Sequence, residues 1–163
     1  MARKLRRRNE GKTDYPARLQ MLHAGVPRLV VRKSNKYLLA QAVISREAQD
    51  TVVCGAHSDE LISKGWSKDM HNSLKSVPAA YLTGFLLGTK IKKDHKDIQR
   101  LVVDLGIARS TKGSRLYAVV KGMIDAGFDV ACSKEVIPSQ DRIEGKHMKN
   151  KIDFAGIKAK IGA

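Results

Sequence analysis

Two runs early in the chain, PRLVVRK (27–33) and KYLLAQAVIS (36–45), are rich in β-branched and aromatic residues and flank the dipeptide Ser34-Asn35. Asn tolerates positive φ, so the pair reads as a β-hairpin with a two-residue connection. TVVCGAHS (51–58) follows the polar turn REAQD and completes a three-stranded antiparallel meander. Ahead of the meander, Thr13 offers an N-cap, Pro16 an early-turn position, and Leu19 and Leu22 a helical stripe that stops at Ala24-Gly25. Behind it, DELISKGWSKDMHNSLKS is polar and irregular and reads as mostly loop, with Trp66 as a local hydrophobic plug in preference to a base-stacking platform.

The second half changes period. Pro78 at a first helical position, with Ser76 or Val77 before it, opens a helix to about Lys92. On that helix Ala80, Gly84 and Gly88 recur every fourth residue, and because glycine costs about 1 kcal/mol in a helix interior, the stripe predicts a close approach to another backbone. IQRLVVDL (98–105) reads as a strand buried on both faces. Ser114 caps a helix whose Leu116, Val119, Val120, Met123 and Ile124 keep helical spacing up to Ala126-Gly127, and FDVAC (128–132) supplies a last strand. Strand, helix, strand, helix, strand is a parallel βαβαβ pattern. The predicted fold is therefore α/β: a mixed five-stranded sheet, an antiparallel meander followed by the parallel part, with packed helices. Residues 142–163 hold too few large apolar side chains for a second core.

Charge sharpens this picture. The 163 residues carry 31 Lys and Arg against 16 Asp and Glu, a formal net charge of +15 that at this size points to a polyanionic partner. Residues 1–36 hold +9 of it and residues 142–163 hold +4, which leaves +2 for the 105 residues between them. The expected organisation is a basic N-terminal arm (1–12), extended until a partner orders it, a nearly neutral α/β body (13–141) and a basic helical C-terminal extension (142–163). Cys54 and Cys132 lack Cys-x-x-Cys spacing and the five His are scattered, so neither a disulfide framework nor a metal is expected, and no cofactor. The basic start runs into NEGKTD without an apolar stretch, and Val77–Leu87 is too short and too interrupted for a membrane span, so a cytoplasmic protein is expected, with neither membrane nor small-molecule substrate as partner.

Three places concentrate cations where an anion could meet them. The first is the cluster Arg3, Lys4, Arg6, Arg7 and Arg8, with Lys12 close by. Arginine grips phosphate through a planar fork of donors, and a thin peptide threads between RNA helices where a folded face cannot. A solvated tail or a nuclear import signal is the plainer alternative, weakened by the other basic features of the chain. The second is the hairpin, where Arg32, Lys33 and Lys36 surround Ser34 and Asn35, hydroxyl and amide groups suited to phosphate or ribose 2′-OH, with Arg28 on the same strand. Lysines that merely blunt a sheet edge are the competing account. The third is the loop before the second long helix, with Arg109, Ser110, Thr111, Lys112 and Arg115 beside free helix amides. It lacks the spacing of a P-loop. His57 and Ser58 at a strand end either contact RNA or cap the turn, and the former is favoured here. The best catalytic candidate, Asp104 at a strand end, lacks the converging carboxylates that a two-metal nuclease requires, and a loop or cap role suits it better.

The runs GKTDYPARLQMLHAGVPRLVVRKSNKYLLAQAV, SVPAAYLTGFLLG and DLGIARSTKGSRLYAVVKGMIDAG, in that order, resemble the archaeal and eukaryotic branch of the large-subunit ribosomal protein family numbered eighteen, the 5S rRNA binder of the central protuberance. The likeness spans about Arg6 to Arg142. It implies a ribonuclease-H-like sheet topology, no catalytic activity, and docking of 5S rRNA onto 23S rRNA beside ribosomal protein family five. Carried over by position, its RNA contacts fall on the N-terminal cluster, Arg28, Arg32 to Lys36, His57-Ser58 and the Arg109 to Arg115 loop.

Overall fold

The computed structural model describes residues 6–47, 49–148 and 152–162. One helical turn, α1 (Arg6–Asn9), and a second helix, α2 (Tyr15–His23), precede the meander β1 (Arg28–Lys33), β2 (Leu38–Arg46) and β3 (Gln49–His57). Then come α3 (Val77–Asp94), β4 (Arg100–Asp104), α4 (Arg115–Asp125) and the two-residue β5 (Asp129–Val130), followed by α5 (Gln140–Ile143) and α6 (Phe154–Gly162). Short 3-10 turns at Ser58–Ile62, Lys68–Ser73 and Lys134–Val136 link them. The sheet order is β3-β2-β1-β4-β5, antiparallel through β1, β2 and β3 and parallel from β1 to β4 and β4 to β5. This is the mixed five-stranded α/β architecture expected.

Register divides the two faces of the sheet. Leu29 and Val31 of β1 and Leu101 of β4 alternate onto the face that α3 and α4 cover, where they meet Leu82, Leu87, Val119 and Met123. The intervening positions Arg28 and Arg32 of β1 and Asp104 of β4 therefore share the opposite face, since residues two apart on a strand point the same way. β4 is enclosed on both faces only in part: Leu101 and Asp104, on opposite faces, are buried, Val102 and Val103 are half-buried, and Arg100 at the start of the strand is exposed.

The glycine stripe of α3 finds its backbone partner in α4. A Cβ built on Gly84 would land on the main-chain carbonyl of Val119, and one on Gly122 would land on that of Tyr81. Neither chain could yield, so only glycine allows the two helices to lie this close. Ser76 caps α3 by accepting a hydrogen bond from the Ala79 amide at 3.4 Å, with Pro78 in the first turn. Trp66 is plugged into the core at 2% exposure and donates Nε1 to the Met70 carbonyl.

Several expectations change. Residues 6–9 form a helical turn, steadied by Arg6 on Glu10 and Arg7 on Thr13, where an extended arm was expected. The N-cap of α2 is Asp14, one residue beyond Thr13, because its carboxylate accepts from the Ala17 amide. The α2 stripe is not buried: no residue of the helix reaches the core and Leu19 is largely exposed. The hairpin connection has four residues, 34–37, and Asn35 is not among the residues with positive φ. The Ser34 hydroxyl closes this loop by donating to the Tyr37 carbonyl and accepting from its amide. The last strand keeps only Asp129 and Val130 of FDVAC. Finally α6 joins the main core: Ile157 and Ile161 are buried in it and Phe154 packs 5.4 Å from the ring of Tyr81 on α3.

Candidate nucleic-acid interface

Lys33, Ser34, Asn35 and Lys36 stand exposed at the hairpin tip, and Lys75 ties the tip down by donating to the Asn35 carbonyl at 2.9 Å. Arg32 is exposed yet fixed. Its guanidinium donates to the Asp104 carboxylate at 2.8 Å and to the main-chain carbonyls of Asp104 and Val31 at 2.7 and 2.9 Å. Gly106, at φ +61, lets the loop after β4 close over it; a Cβ there would stand 3.0 Å from the guanidinium carbon. A cation so held presents its remaining edge without the rotamer entropy that a free arginine loses on binding.

Behind Arg32 lies a buried charge network. Arg28, 2% exposed, donates to Asp104 at 2.8 Å, to Asp50 at 2.6 Å and to the Ser45 hydroxyl at 3.0 Å. Burial pushes the Asp50 carboxyl up, but hydrogen bonds from Ser45, Arg28 and Arg18 outweigh it and hold the group below the usual carboxylate range. Arg28 is thus sealed in the sheet, its two terminal nitrogens spent on Asp104, Asp50 and Ser45 and its Nε buried, so it does not stand at the surface beside the hairpin cations with which the sequence reading grouped it. Asp104 accepts from two guanidinium groups and the Gly106 amide, so its oxygens are committed inside the protein and not to a metal. It orients Arg32, a role that its place at a strand end did not disclose.

Ser58 is likewise structural. It is fully buried and its hydroxyl accepts from the Leu38 amide, which pins the start of β2. His57 takes the capping role: Nδ1 accepts from the Asp59 amide while Glu60 accepts from the His57 amide, a reciprocal capping box. His57 thus caps the turn, the role that the sequence reading ranked second, while Ser58 takes neither role and is spent on the start of β2.

The loop residues Arg109, Ser110, Thr111 and Lys112 are exposed, with Ser110 hydrogen-bonded to the Tyr117 hydroxyl and Lys112 loosely paired with Glu135 at 3.3 Å. Arg109, Thr111, Lys112 and Arg115 border a cleft of about 600 Å³ between the amino ends of α3 and α4, and Ser110 is not part of its lining. Lys33, Lys75 and Arg142 enter the same cleft from β1, the segment before α3, and α5. The hairpin tip and the loop are thus two sides of one basic surface. Of the N-terminal cluster, Arg6, Arg7, Arg8 and Lys12 are exposed on and after α1, whereas Arg3 and Lys4 lie outside the described residues. Lys75 and Arg142 escaped the sequence reading. Both sit in stretches whose local pattern is unremarkable, and only the chain's return past the α4 amino end brings them to the loop.

A family model described as "Ribosomal large subunit proteins 60S L5, and 50S L18" matches residues 1–99, more than half of the chain. The chain belongs to that family. Three archaeal relatives, each named large ribosomal subunit protein uL18, agree: one from Caldivirga maquilingensis is 49% identical over 146 residues, covering 89% of this chain and 68% of its own. Those from Korarchaeum cryptofilum and Methanococcus maripaludis are 46% and 45% identical over 145 residues, covering 89% of this chain and 71% and 72% of theirs. The L5 and L18 family match takes in α1, α2, the whole meander and α3, and ends before β4. The hairpin therefore lies within the family pattern, while Asp104 and the 109–115 loop come from the part of the chain beyond it.

Proposed function

We propose that this protein is a structural constituent of the large ribosomal subunit that binds 5S rRNA and attaches it to 23S rRNA in the central protuberance, in the cytoplasm and next to the ribosomal protein of family five. Membership of the L5 and L18 family carries the reading, and the distribution of charge supports it. A chain of net charge +15 keeps Arg28 for itself and leaves Arg6, Arg7, Arg8, Lys12, Lys33, Lys36, Arg109 and Lys112 exposed. Counterion release from phosphates neutralised by these side chains would drive binding, and Arg32, already fixed, would set the register. The hairpin and the loop face one RNA; the N-terminal arm, whose Arg7 lies beside α2 and Asp50, faces the other.

The test is a filter-binding titration of the full chain with 5S rRNA and with a 23S rRNA central-protuberance fragment, across a range of salt. Binding of each RNA separately, and a ternary complex when both are present, is the expected outcome. Absence of 5S rRNA binding at moderate salt, or displacement of one RNA by the other, overturns the proposal.

A further inference from the structure

We propose that the cleft between α3 and α4 is a socket for a nucleotide of unpaired RNA, its phosphate seated on the amino end of α4. The inference rests on the RNA-binding reading above and specifies what kind of RNA this surface takes.

The amino end of α4 is unfinished in a particular way. Ser114 occupies the N-cap position with extended backbone, yet its hydroxyl makes no capping bond. That oxygen is buried and has no hydrogen-bond partner among the described residues. The amides of Arg115, Leu116 and Tyr117, which no helical carbonyl can reach, find no acceptor among the described residues either. A buried hydroxyl without a partner costs about 1–3 kcal/mol, so a site that keeps one is built for something else to complete it. Three amides and one hydroxyl converging at a helix start are donors for a tetrahedral anion.

The surroundings carry the same sign. Arg109, Lys112, Arg115, Lys75, Arg142 and Lys33 line the cleft, and none of its lining residues among those described bears a carboxylate. The amino end of α3 opens onto it as well, through Ser76 and Val77. Arg115 is set by donating to the Lys75 carbonyl at 3.2 Å, and Lys75 in turn reaches the hairpin tip, so the cleft wall and the hairpin form one braced unit.

Shape then selects the ligand. A-form RNA presents its phosphates on the rim of a wide cylinder and is met by flat or convex protein surfaces. To reach a buried hydroxyl in the wall of a cleft of about 600 Å³, a phosphate has to arrive on a strand free of its complement. The exposed His147 and Arg142, which also line the cleft, offer flat faces against which an unstacked base can rest.

The experiment follows amide resonances of the full chain on titration with a short single-stranded RNA, an RNA duplex of the same composition, and an acidic peptide, and measures 5S rRNA affinity of Ser114→Ala and Arg142→Ala. The single strand is expected to shift the Leu116 and Tyr117 amides and the duplex to leave them in place. Ser114→Ala is expected to weaken 5S rRNA binding about tenfold with a melting temperature equal to or above that of the parent, because the lost hydroxyl has no partner in the free protein. Arg142→Ala gives the same direction from an exposed position that the fold does not depend on. Equal shifts with duplex, equal binding of the acidic peptide, or unchanged affinity of both variants overturns the socket. If wild-type protein binds 5S rRNA while these amides stay still, the socket alone fails; if it does not bind 5S rRNA at all, the function proposed above fails instead.

Discussion

Replacing Asp104 with Asn removes the charge on which two arginines converge while preserving the size of the side chain. Arg28 is enclosed, and its guanidinium would then rely on Asp50, which is about one-third exposed and also serves Arg18. Breaking a buried ion pair by removing one partner typically costs about 3–5 kcal/mol, and the surviving Asp50 contact places the expected loss at the lower end, about 3 kcal/mol. For a domain of this length that corresponds to a fall in melting temperature of roughly 6–12 °C. Urea unfolding of the free protein, followed by circular dichroism, measures it directly. The double variant Arg28→Met with Asp104→Leu removes both charges and is expected to recover most of the loss, since apolar isosteres often replace a buried pair at little cost. A loss below about 1 kcal/mol for Asp104→Asn, or a double variant worse than the single one, would refute the view that this carboxylate chiefly compensates a buried cation. Asp104→Asn should also loosen Arg32, seen as lower RNA affinity at a temperature where the variant is fully folded.

Gly84→Ala drives a methyl group into the α4 backbone at Val119, and an overpacking cost of about 3 kcal/mol or outright failure to fold is expected; a melting temperature within error of wild type would sink the close-contact account. Lys33→Ala combined with Lys36→Ala should lower the salt dependence of 5S rRNA binding by about two phosphate equivalents, read from the slope of log affinity against log salt, whereas an unchanged slope removes the hairpin from the interface. Asp50, held below its ordinary pKa, contributes stability that is fully present above about pH 4 and is lost as the pH falls through its lowered folded value. Glu60 behaves alike: burial raises its pKa, and Lys90 with the His57 amide more than reverses that. Acid titration of unfolding free energy should therefore show a decline below about pH 4 that Asp50→Asn makes shallower, and parallel curves for the two proteins would contradict it.

The strands and the two long helices were readable because their burial is periodic. Leu29 and Val31, or Leu116, Val119 and Met123, announce a face by spacing alone. The glycines of α3 were readable for another reason: a residue that costs stability in a helix needs a compensating contact, and α4 supplies it. Charge was legible in amount and not in direction. Arg28 and Arg32 lie two pleat repeats apart on the same face of one strand, yet one is sealed between Asp104 and Asp50 and the other is open to solvent, because only the neighbouring strand and the β2–β3 end decide what lies across from each. The cleft was half visible. Arg109 to Arg115 announced themselves as a basic loop, but Lys75 and Arg142 arrive from distant segments that local pattern treats as filler. The C-terminal extension was underestimated because Ile157 and Ile161 are few in number, while a helix needs only a few well-placed apolar residues when an existing core receives them.

The backbone contact between Gly84 and Gly122 also has a mechanical meaning. Where side chains intervene, helices can slide by small rotamer changes; where main chain meets main chain, no such slack exists. Lys75, just ahead of α3, ties the hairpin tip to Arg115 at the α4 start, so both adjoin a pair of helices that cannot slide past each other. A protein of this build works as a fixed gauge block, and strands of nucleic acid laid against it would inherit its dimensions.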